Sequence, residues 1–390
     1  MTPTSAPAPV TWADPQRQVA FEAWLAALSG PQQLDVPSLC LASADASFRR
    51  YLRIDAAGGT RIIMDAPPDK ENCQPFVQVA QLMQTAGLRA PEVLAWDEAQ
   101  GFMLLTDLGS HTMMQAMKQA GTLETFAPNL PLYLQAVDAL IAWQLASQPG
   151  VLPNYDEALL RRELALFPDW YIAQHRGITL TATQRATLDT AFDRIVTENL
   201  RWPSVYVHRD FMPRNLMVGG APTLGTGVSS LPPEGAAHLA WGGPAPGDAS
   251  TLGASLGVLD FQDAVYGPIT YDIASLMRDA FLTWDEEHVL DITIRYWQQA
   301  RKAGLPVGDD FGEFYKGVEW MGLQRHLKVA GIFARLTLRD GKPQYLADAP
   351  RFIAYIRATC SRYIELKPLL RLVEEIENIK PPEVFAFGRS

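Results

Sequence analysis

The sequence contains only three cysteines among its 390 residues, namely Cys40, Cys73 and Cys360. They lie far apart and show none of the short Cys and His spacings that hold zinc or iron–sulfur clusters. Small secreted domains that are stabilised by disulfides need a denser and paired set of cysteines. We therefore expect three reduced thiols in a reducing compartment, and neither a disulfide framework nor a thiolate metal site.

Long apolar runs are also missing. A membrane-spanning helix needs about 20 consecutive apolar residues, whereas the apolar stretch GLQRHLKVAGIFARL is interrupted by Arg325, Lys328 and Arg335. The N-terminal stretch MTPTSAPAPVTWADPQ has neither the basic region nor the apolar region of a secretory signal. These absences predict a cytoplasmic protein without a membrane partner.

Positive charge is scarce, because 33 Lys and Arg residues stand against 43 Asp and Glu residues, which gives a net charge of -10. Proteins that bind nucleic acid through its backbone carry an excess of Lys and Arg. General nucleic-acid binding is therefore excluded as the main function. A local basic pocket for a small ligand stays compatible with this balance.

The N-terminal third is rich in strand patterns. A helix is predicted between Asp14, which suits the N-cap, and Gly30, with Pro15 at its first position. The stretch AAGG at 56–59 predicts a hairpin, and QPFVQVAQLMQTAG has the period of a helix that ends at Gly87. The predicted strands lie at about 38–43, 49–55 and 60–65 and in PEVLAWD and GFMLLTDLG.

The remainder of the chain is mainly helical from about residue 110, with helices predicted in YDEALLRRELALFPDWYIAQH and YDIASLMRDAFLTW among others. Strand patterns return only at 204–218 and 256–261. Residues 219–256 are rich in Gly, Pro, Ala and Ser, which predicts a mobile surface insertion without a core of its own. The order of three strands, one helix and two strands matches the small lobe of the kinase fold. We therefore predict an α+β, two-lobed, protein-kinase-like fold, with an antiparallel-sheet lobe over 1–107 and a mainly helical lobe over 108–390.

Polar residues stand between two apolar runs in VYVHRDFMPRNLMV, residues 205–218. This stretch fits H-R-D-x-x-x-x-N, the catalytic-loop pattern of kinases, in which Asp210 faces a substrate hydroxyl and Asn215 reaches Mg²⁺. The apolar strand in GVLDFQDA is followed by Asp260, which suits the second magnesium ligand. Alone, Asp210 is explained equally well by a turn, and for Asn215 alone a turn is the better explanation. His208 is expected to be structural, and Asp272 is expected to cap a helix and tie down the loop.

A family resemblance rests on HRDFMPRN, LDFQDAVYGPITYDIASLMRDAF and RHLKVAGIFARLTLRDGKPQYL. These stretches resemble the aminoglycoside phosphotransferase superfamily. Together with MDAPP, GFMLLTDLG and DFQDA, they are similar to its bacterial cell-wall sugar kinases, over roughly residues 20–375. That resemblance implies phosphorylation of the anomeric hydroxyl of N-acetylmuramate or N-acetylglucosamine in peptidoglycan recycling.

The sequence departs from the kinase pattern on the third strand. A lysine that holds the α- and β-phosphates should fall near Met64, and none is there. The available cations are Arg49, Arg50 and Lys70, of which Arg49 is our choice. The preceding loop SADASFRR lacks the glycines of a kinase phosphate loop, so backbone amides near Ser47 are expected to assist.

Three basic residues on one predicted helix bear on the acceptor. At about 100° per residue, Arg325, Lys328 and Arg335 fall within roughly 80° of one another. A muramate carboxylate would pair with Arg325 or Lys328 if the stripe faces the acceptor, whereas a solvated helix face is the simpler interpretation. Arg278 is a second candidate, which the fold or Asp279 explains equally well.

The predicted mechanism is direct in-line transfer from ATP with Mg²⁺, in a protein that we expect to be a monomer. Adenine is expected to bond to the backbone of Thr106, Asp107 and Leu108 in LLTDLG. Two alternatives stay open. One is a kinase for an aminoglycoside, choline or another small alcohol, and the other is a non-catalytic nucleotide-binding regulator, which the missing lysine makes conceivable.

Overall fold

The computed structural model describes residues 10–44, 48–219 and 256–379. The insertion predicted at 219–256 lies outside these residues except at its two ends. Within the described residues the strands are β1 (Leu34–Ala44), β2 (Arg50–Ala56), β3 (Gly59–Asp65), β4 (Val93–Asp97), β5 (Phe102–Thr106), β6 (Ser204–Val207), β7 (Leu216–Met217), β8 (Gly257–Val258) and β9 (Val265–Pro268).

The α-helices of the same residues are α1 (Pro15–Ser29), α2 (Gln74–Thr85), α3 (Met113–Gln119), α4 (Leu130–Leu145), α5 (Glu157–Leu166), α6 (Ala182–Leu200), α7 (Thr270–Met277), α8 (Glu286–Lys302), α9 (Phe311–Leu338), α10 (Ala349–Arg362) and α11 (Lys367–Ile376). The chain divides into two compact units. Unit 1 comprises Met1–Gly121 and Arg214–Leu259, and unit 2 comprises Thr122–Pro213 and Asp260–Ser390.

Unit 1 contains a five-stranded antiparallel sheet in the order β1-β2-β3-β5-β4. The predicted hairpin is confirmed, because β2 and β3 pair in register from Arg50 opposite Asp65 to Ala56 opposite Gly59. Gly59 and Gly58 both have positive φ, at 134° and 84°, a conformation that glycine adopts readily. The predicted order of three strands, one helix and two strands is therefore correct.

Helix α1 begins as predicted, since the Asp14 side chain accepts a hydrogen bond from the backbone of Gln16 at 2.8 Å and Pro15 occupies the first turn. The helix buries Phe21 and Leu25 against the sheet, in a core with Leu34, Leu52, Ile54, Ile63, Phe102 and Leu104. Full burial of such side chains stabilises the fold by roughly 1.5–3 kcal/mol each. The core thus fixes α1 on one face of the sheet.

Unit 2 is mainly helical and includes one two-stranded antiparallel pair, β6 with β9. This pair holds the start of the predicted catalytic loop, since Val207 lies opposite Val265. The short pair of β7 and β8 belongs to unit 1. The predicted α+β class, with strands followed by a helical remainder, is confirmed.

Two predicted helices end earlier than their sequence patterns suggest. The stretch YDEALLRRELALFPDWYIAQH changes from α5 to a π-helical segment, Phe167–His175. Pro168 has no N–H to continue the α-helical bonding at this point. Helix α7 ends at Met277, and the side chain of Asp279 accepts the Phe281 N–H at 2.9 Å, which makes a turn where a helix was predicted.

Candidate active site

The loop that follows β6 is anchored by a buried carboxylate. Asp272 accepts hydrogen bonds from the backbone N–H groups of His208 at 2.7 Å and Arg209 at 3.0 Å. Both His208 and Asp272 are fully buried. The prediction that Asp272 ties down the loop is confirmed. The prediction that it caps a helix is wrong, because it lies in the first turn of α7 and the N-cap residue is Ile269.

Two residues around the motif adopt a backbone conformation that is unusual for residues other than glycine. Arg209 has φ of 78° and Asp260 has φ of 65°. Such left-handed residues are uncommon outside Gly, Asn and Asp, so Arg209 stores about 1–3 kcal/mol of strain that the surroundings must hold. For Arg209 the restraint is visible, since its N–H is bonded to Asp272.

Asp210 is the accessible carboxylate of this loop. Its side chain is 39% exposed, whereas Asp272 is fully buried. The guanidinium of Arg325, on α9, lies 3.9 Å from the Asp210 carboxylate. Burial alone would raise the pKa of Asp210, but Lys328, Arg325 and Arg209 lower it below its ordinary value. The group is therefore ionised at neutral pH and partly exposed.

Behind the loop lies a buried ion cluster centred on Glu163, a residue of α5 that is 5% exposed. Its carboxylate pairs with the Lys328 ammonium at 2.9 Å and with the Arg209 guanidinium, and it accepts the Tyr155 hydroxyl. Burial alone would raise the pKa of Glu163, but Lys328 and Arg209 lower it to about 2. Sequence reasoning missed Glu163, since its local pattern is that of an ordinary amphipathic helix.

Two basic residues of α9, Arg325 and Lys328, are buried in unit 2. Arg325 is 3% exposed and Lys328 is 7% exposed, so the interpretation of a solvated helix face is wrong for both. Arg325 donates to the backbone carbonyl of Arg209, and its guanidinium lies 4.9 Å from the centre of the Tyr271 ring. Lys328 also donates to the Tyr271 hydroxyl at 3.3 Å. The structure therefore brings Asp210, Arg325 and Lys328 together.

Arg278 has a different set of partners. Its guanidinium donates to both carboxylate oxygens of Glu286 at 2.9 Å and to the Tyr315 hydroxyl at 3.1 Å. Its side chain is 10% exposed. These contacts favour the structural interpretation over a direct contact with substrate, and the partner that they identify is Glu286.

The two predicted magnesium ligands flank β7 and β8 in the chain. Asn215 is buried, and its backbone carbonyl accepts the N–H of Leu259 at 2.9 Å. Asp260 follows Leu259 directly, is exposed, and accepts a hydrogen bond from the Gln262 side chain at 2.9 Å. An amide oxygen and a carboxylate are hard oxygen donors of the kind that Mg²⁺ takes, together with phosphate oxygens. The donor set therefore fits magnesium.

In unit 1, Arg49 forms an ion pair with Glu71 at 3.1 Å, and Glu71 also accepts the backbone N–H of Phe48 at 3.1 Å. Arg49 is 7% exposed. The other two candidate cations are engaged elsewhere: Arg50 pairs with Asp65, and the Lys70 ammonium lies 5.0 Å from the centre of the Phe48 ring. The sheet unit thus contains an arginine–glutamate pair, which has the same charges as the lysine–glutamate pair of kinases. Ser47 lies outside the described residues.

The predicted adenine segment comes at the end of β5. The Thr106 hydroxyl accepts the Glu92 N–H at 2.9 Å, and the Asp107 carboxylate accepts hydrogen bonds from Arg53 and Thr60, both at 2.7 Å. Burial alone would raise the pKa of Asp107, but Arg53 and Thr60 lower it. The Leu108 carbonyl accepts from Arg89 at 3.3 Å. These bonds fix the segment, and the Asp107 side chain serves the fold.

The comparison with known families agrees with the loop and the fold. The profile of the phosphotransferase enzyme family matches residues 38–228 and 252–309, which is more than half of the chain. The chain belongs to this family, and its chemistry is that of a kinase. This result confirms the predicted resemblance to the phosphotransferases.

Named relatives indicate which kinases of this family the chain resembles. The chain is 44% identical over 362 residues to an N-acetylmuramate/N-acetylglucosamine kinase of Neisseria meningitidis serogroup B, with 93% of this chain and 96% of the relative covered. It is also 44% identical over 335 residues to the N-acetylmuramate/N-acetylglucosamine kinase of Pseudomonas aeruginosa, with 86% and 87% covered. The predicted similarity to this subgroup is confirmed.

The similarity to solved structures concerns the fold and nothing more, because the sequence identities are low. An ethanolamine kinase of Plasmodium vivax matches with a TM-score of 0.56 at 10% identity, over 90% of this chain and 91% of that structure. A choline/ethanolamine kinase family protein from Mesorhizobium loti matches with a TM-score of 0.54 at 14% identity, over 92% and 99%. Within the described residues, no helix is long and apolar enough to cross a membrane.

Proposed function

We propose that this protein transfers the γ-phosphate of ATP to the anomeric hydroxyl of N-acetylmuramate and N-acetylglucosamine, as a step of peptidoglycan recycling. The observation that carries the proposal is an ionised, half-exposed Asp210 on a fixed loop, in a chain 44% identical over 93% of its length to a kinase named for both sugars. We further propose that the protein is a monomer and that it is cytoplasmic. The cytoplasmic location is in line with the ATP donor and with three free cysteines.

Asp210 is assigned the role of orienting the acceptor hydroxyl and taking its proton as the bond to phosphorus forms. Its low pKa makes it a weak base, so its main contribution is to align the oxygen for in-line attack. The Asp272 bonds to His208 and Arg209 hold the loop for this alignment. Arg325, and Lys328 behind it, supply positive potential beside the acceptor site.

The sheet unit is assigned to the nucleotide. Arg49, held by Glu71, is the proposed contact of the α- and β-phosphates. The backbone of Thr106, Asp107 and Leu108 is the proposed partner of adenine. Asn215 and Asp260 would hold Mg²⁺, which when bound neutralises charge on the phosphate oxygens.

The test is an ADP-release assay with ATP and Mg²⁺ on N-acetylmuramate, N-acetylglucosamine, kanamycin and choline. We expect turnover on the two amino sugars, and phosphorus NMR of the product should locate the phosphate on the anomeric oxygen. Asp210→Asn should lower kcat by about 10²–10⁴-fold. The matched control is Asp189→Asn on α6, an exposed aspartate paired with Arg185, which should leave kcat unchanged.

Turnover on kanamycin or choline alone would show that the protein is a kinase for a different class of acceptor. If the protein binds nucleotide but phosphorylates none of the four acceptors, the alternative of a non-catalytic nucleotide-binding regulator would be favoured. Retention of full activity in Asp210→Asn would remove the proposed role of that residue.

A further inference from the structure

Unit 2 contains a cavity of about 310 Å³ that shares no residue with the catalytic loop or with the basic residues of α9. Its walls come from the π-helical segment Phe167–His175, from α10 and the residues before it, and from the chain after α11. The volume is near the lower end of the range for small-molecule sites, about 300–1,000 Å³. It has room for roughly ten groups of the size of a water molecule.

The π-helical wall of this cavity is held in a fixed position. The buried ring of Tyr171 stacks on Phe167, with ring centres 5.3 Å apart and planes 9° from parallel. The Tyr171 hydroxyl donates to the Glu377 carboxylate at 3.0 Å, which ties this wall to the chain after α11. Turns of π-helix are rare and are found frequently at functional sites. The cavity is therefore formed before any ligand arrives, as most small-molecule sites are.

Two arginines line the cavity. Arg176 donates from Nη2 to the Ile376 carbonyl at 3.2 Å, and its Nε lies 3.5 Å from the Glu377 carboxylate. Arg357 donates from Nε and Nη2 to one oxygen of Glu374, at 3.1 and 2.9 Å. A guanidinium has five N–H groups, so within the described residues both side chains keep donors for a further acceptor. Their side chains are 29% and 34% exposed, which makes these donors accessible from solvent.

The charge of the lining favours a singly charged anion. Within the described residues, the two guanidiniums face one lining carboxylate, that of Glu377, because Glu374 approaches Arg357 from α11 and is not part of the lining. Burial and the neighbouring Arg176 lower the pKa of His175 below its ordinary value, so its imidazole is neutral at pH 7. The lining therefore carries one net positive charge, which matches a carboxylate better than a phosphate ester of nearly two negative charges.

The remaining lining is mostly apolar and includes Leu346, Pro350 and Ile353. We propose that the cavity is a binding site for a small organic carboxylate, whose charged group pairs with Arg176 and Arg357 and whose apolar body packs against α10. Arginine pairs well with carboxylates because its planar N–H groups match the two carboxylate oxygens. This inference does not rest on the proposed function, since it concerns binding and not phosphate transfer.

The first test compares two probes of the same shape. 4-Fluorobenzoate has one ring and one carboxylate, and 4-fluorobenzamide has the same ring with a neutral amide. Both are titrated against the full-length protein, without sugar or nucleotide, and followed by fluorine NMR. We expect the benzoate to bind at least about tenfold more tightly than the benzamide. Equal affinities, or no binding of the benzoate, would overturn the proposal.

Charge variants test whether the anion binds at the two arginines. Arg176→Gln and Arg357→Gln should each weaken binding of 4-fluorobenzoate by about tenfold, which is the loss of one charge-assisted contact, and should leave the benzamide unaffected. The matched control is Arg185→Gln on α6, an exposed arginine paired with Asp189, which should bind both probes as wild type does. Wild-type affinity for the benzoate in both lining variants would refute the assigned contacts.

A third variant removes the space and keeps the charges. Ala354 is an exposed residue of α10 that lines the cavity, so Ala354→Trp should fill it and weaken binding of the benzoate by at least about tenfold. Ala358→Trp, at an exposed position of the same helix outside the lining, is its control and should bind as wild type does. Thermal unfolding followed by circular dichroism verifies that each variant is folded. Undiminished binding in Ala354→Trp would place the anion elsewhere and overturn the proposal.

Discussion

The helix α9 packs against the end of α5. We therefore predict that a change from glycine to alanine lowers the stability of the fold at one position of α9 and raises it at another. A Cβ atom added at Gly331 would lie 2.7 Å from the Cβ of Leu166 and closer still to the Leu166 carbonyl group. A Cβ atom added at Gly322 would lie 3.6 Å from the nearest atom, the Arg278 Cγ, which is ordinary van der Waals contact.

The expected change in the free energy of unfolding is the sum of a helix-propensity gain and a packing cost. Replacing a helical glycine with alanine gains about 1 kcal/mol of helix propensity. At Gly331 the clash is with backbone, which cannot rotate away, so we take the upper end of the overpacking cost, about 3 kcal/mol. The net loss is about 2 kcal/mol, which for a unit of this size lowers the midpoint of thermal unfolding by about 4–8 °C. Gly322→Ala should raise it by about 1–4 °C.

The assay is thermal unfolding of both variants and wild type, followed by circular dichroism at 222 nm in one buffer. Gly331→Ala should melt below wild type, and Gly322→Ala should melt at or above it. A midpoint for Gly331→Ala that equals or exceeds that of Gly322→Ala would refute the close approach of α9 to Leu166. Because α9 carries Arg325 and Lys328, the same contact also fixes the basic side of the proposed acceptor site.

Three further predictions concern charge. Arg49→Met should raise the KM for ATP by about tenfold, the loss of one charge-assisted contact, and leave the KM for sugar unchanged; an unaltered KM for ATP would exclude Arg49 as the phosphate contact. Asp210 has a lowered pKa, so its active ionised form persists on acidification. The acid limb of kcat should therefore lie below the ordinary aspartate pKa of about 3.9, and a limb near pH 7 would show that another group is in control. Glu163 has a pKa of about 2 in the fold against an ordinary value near 4.5. Its stabilisation is present above about pH 4.5 and is lost as the pH falls towards 2, and it amounts to roughly 3 kcal/mol. Urea unfolding of wild type and Glu163→Gln at pH 7 and pH 2.5 should show the gap between them shrink, and a constant gap would contradict the assignment.

The elements that the sequence predicts correctly are those with local signals. Asp14 accepts a backbone hydrogen bond at the start of a helix, and Pro15 suits the first helical turn. The glycines at 58 and 59 adopt the positive φ angles of the hairpin turn that they predict. The loop with Asp210 was also predictable, because the spacing between Asp210 and Asn215 is the spacing that the chemistry of a kinase requires. The Asp272 anchor was expected from the same motif logic.

Features that depend on tertiary packing were beyond the sequence. Glu163 is an acid on an amphipathic helix until Lys328, 165 positions later in the chain, is brought 2.9 Å from it. By their helical period, Lys328 and Arg325 belong to the polar face of an amphipathic helix. Their burial follows from partners on other elements. The π-helical turn after Leu166 depends on Pro168 and on contacts of that segment with α9, and neither is visible as a helical period.

The alternation of the chain between its two compact units has a consequence for recombination. Because unit 1 takes Arg214–Leu259 from the middle of the sequence, neither unit is encoded by one uninterrupted stretch. A chimera made with a single crossover at Gly121 would inherit its sheet from one parent and β7 and β8 from the other. Gene shuffling among relatives should therefore keep whole units only when two or more crossovers occur together, and the two halves of this protein are expected to evolve as a linked pair.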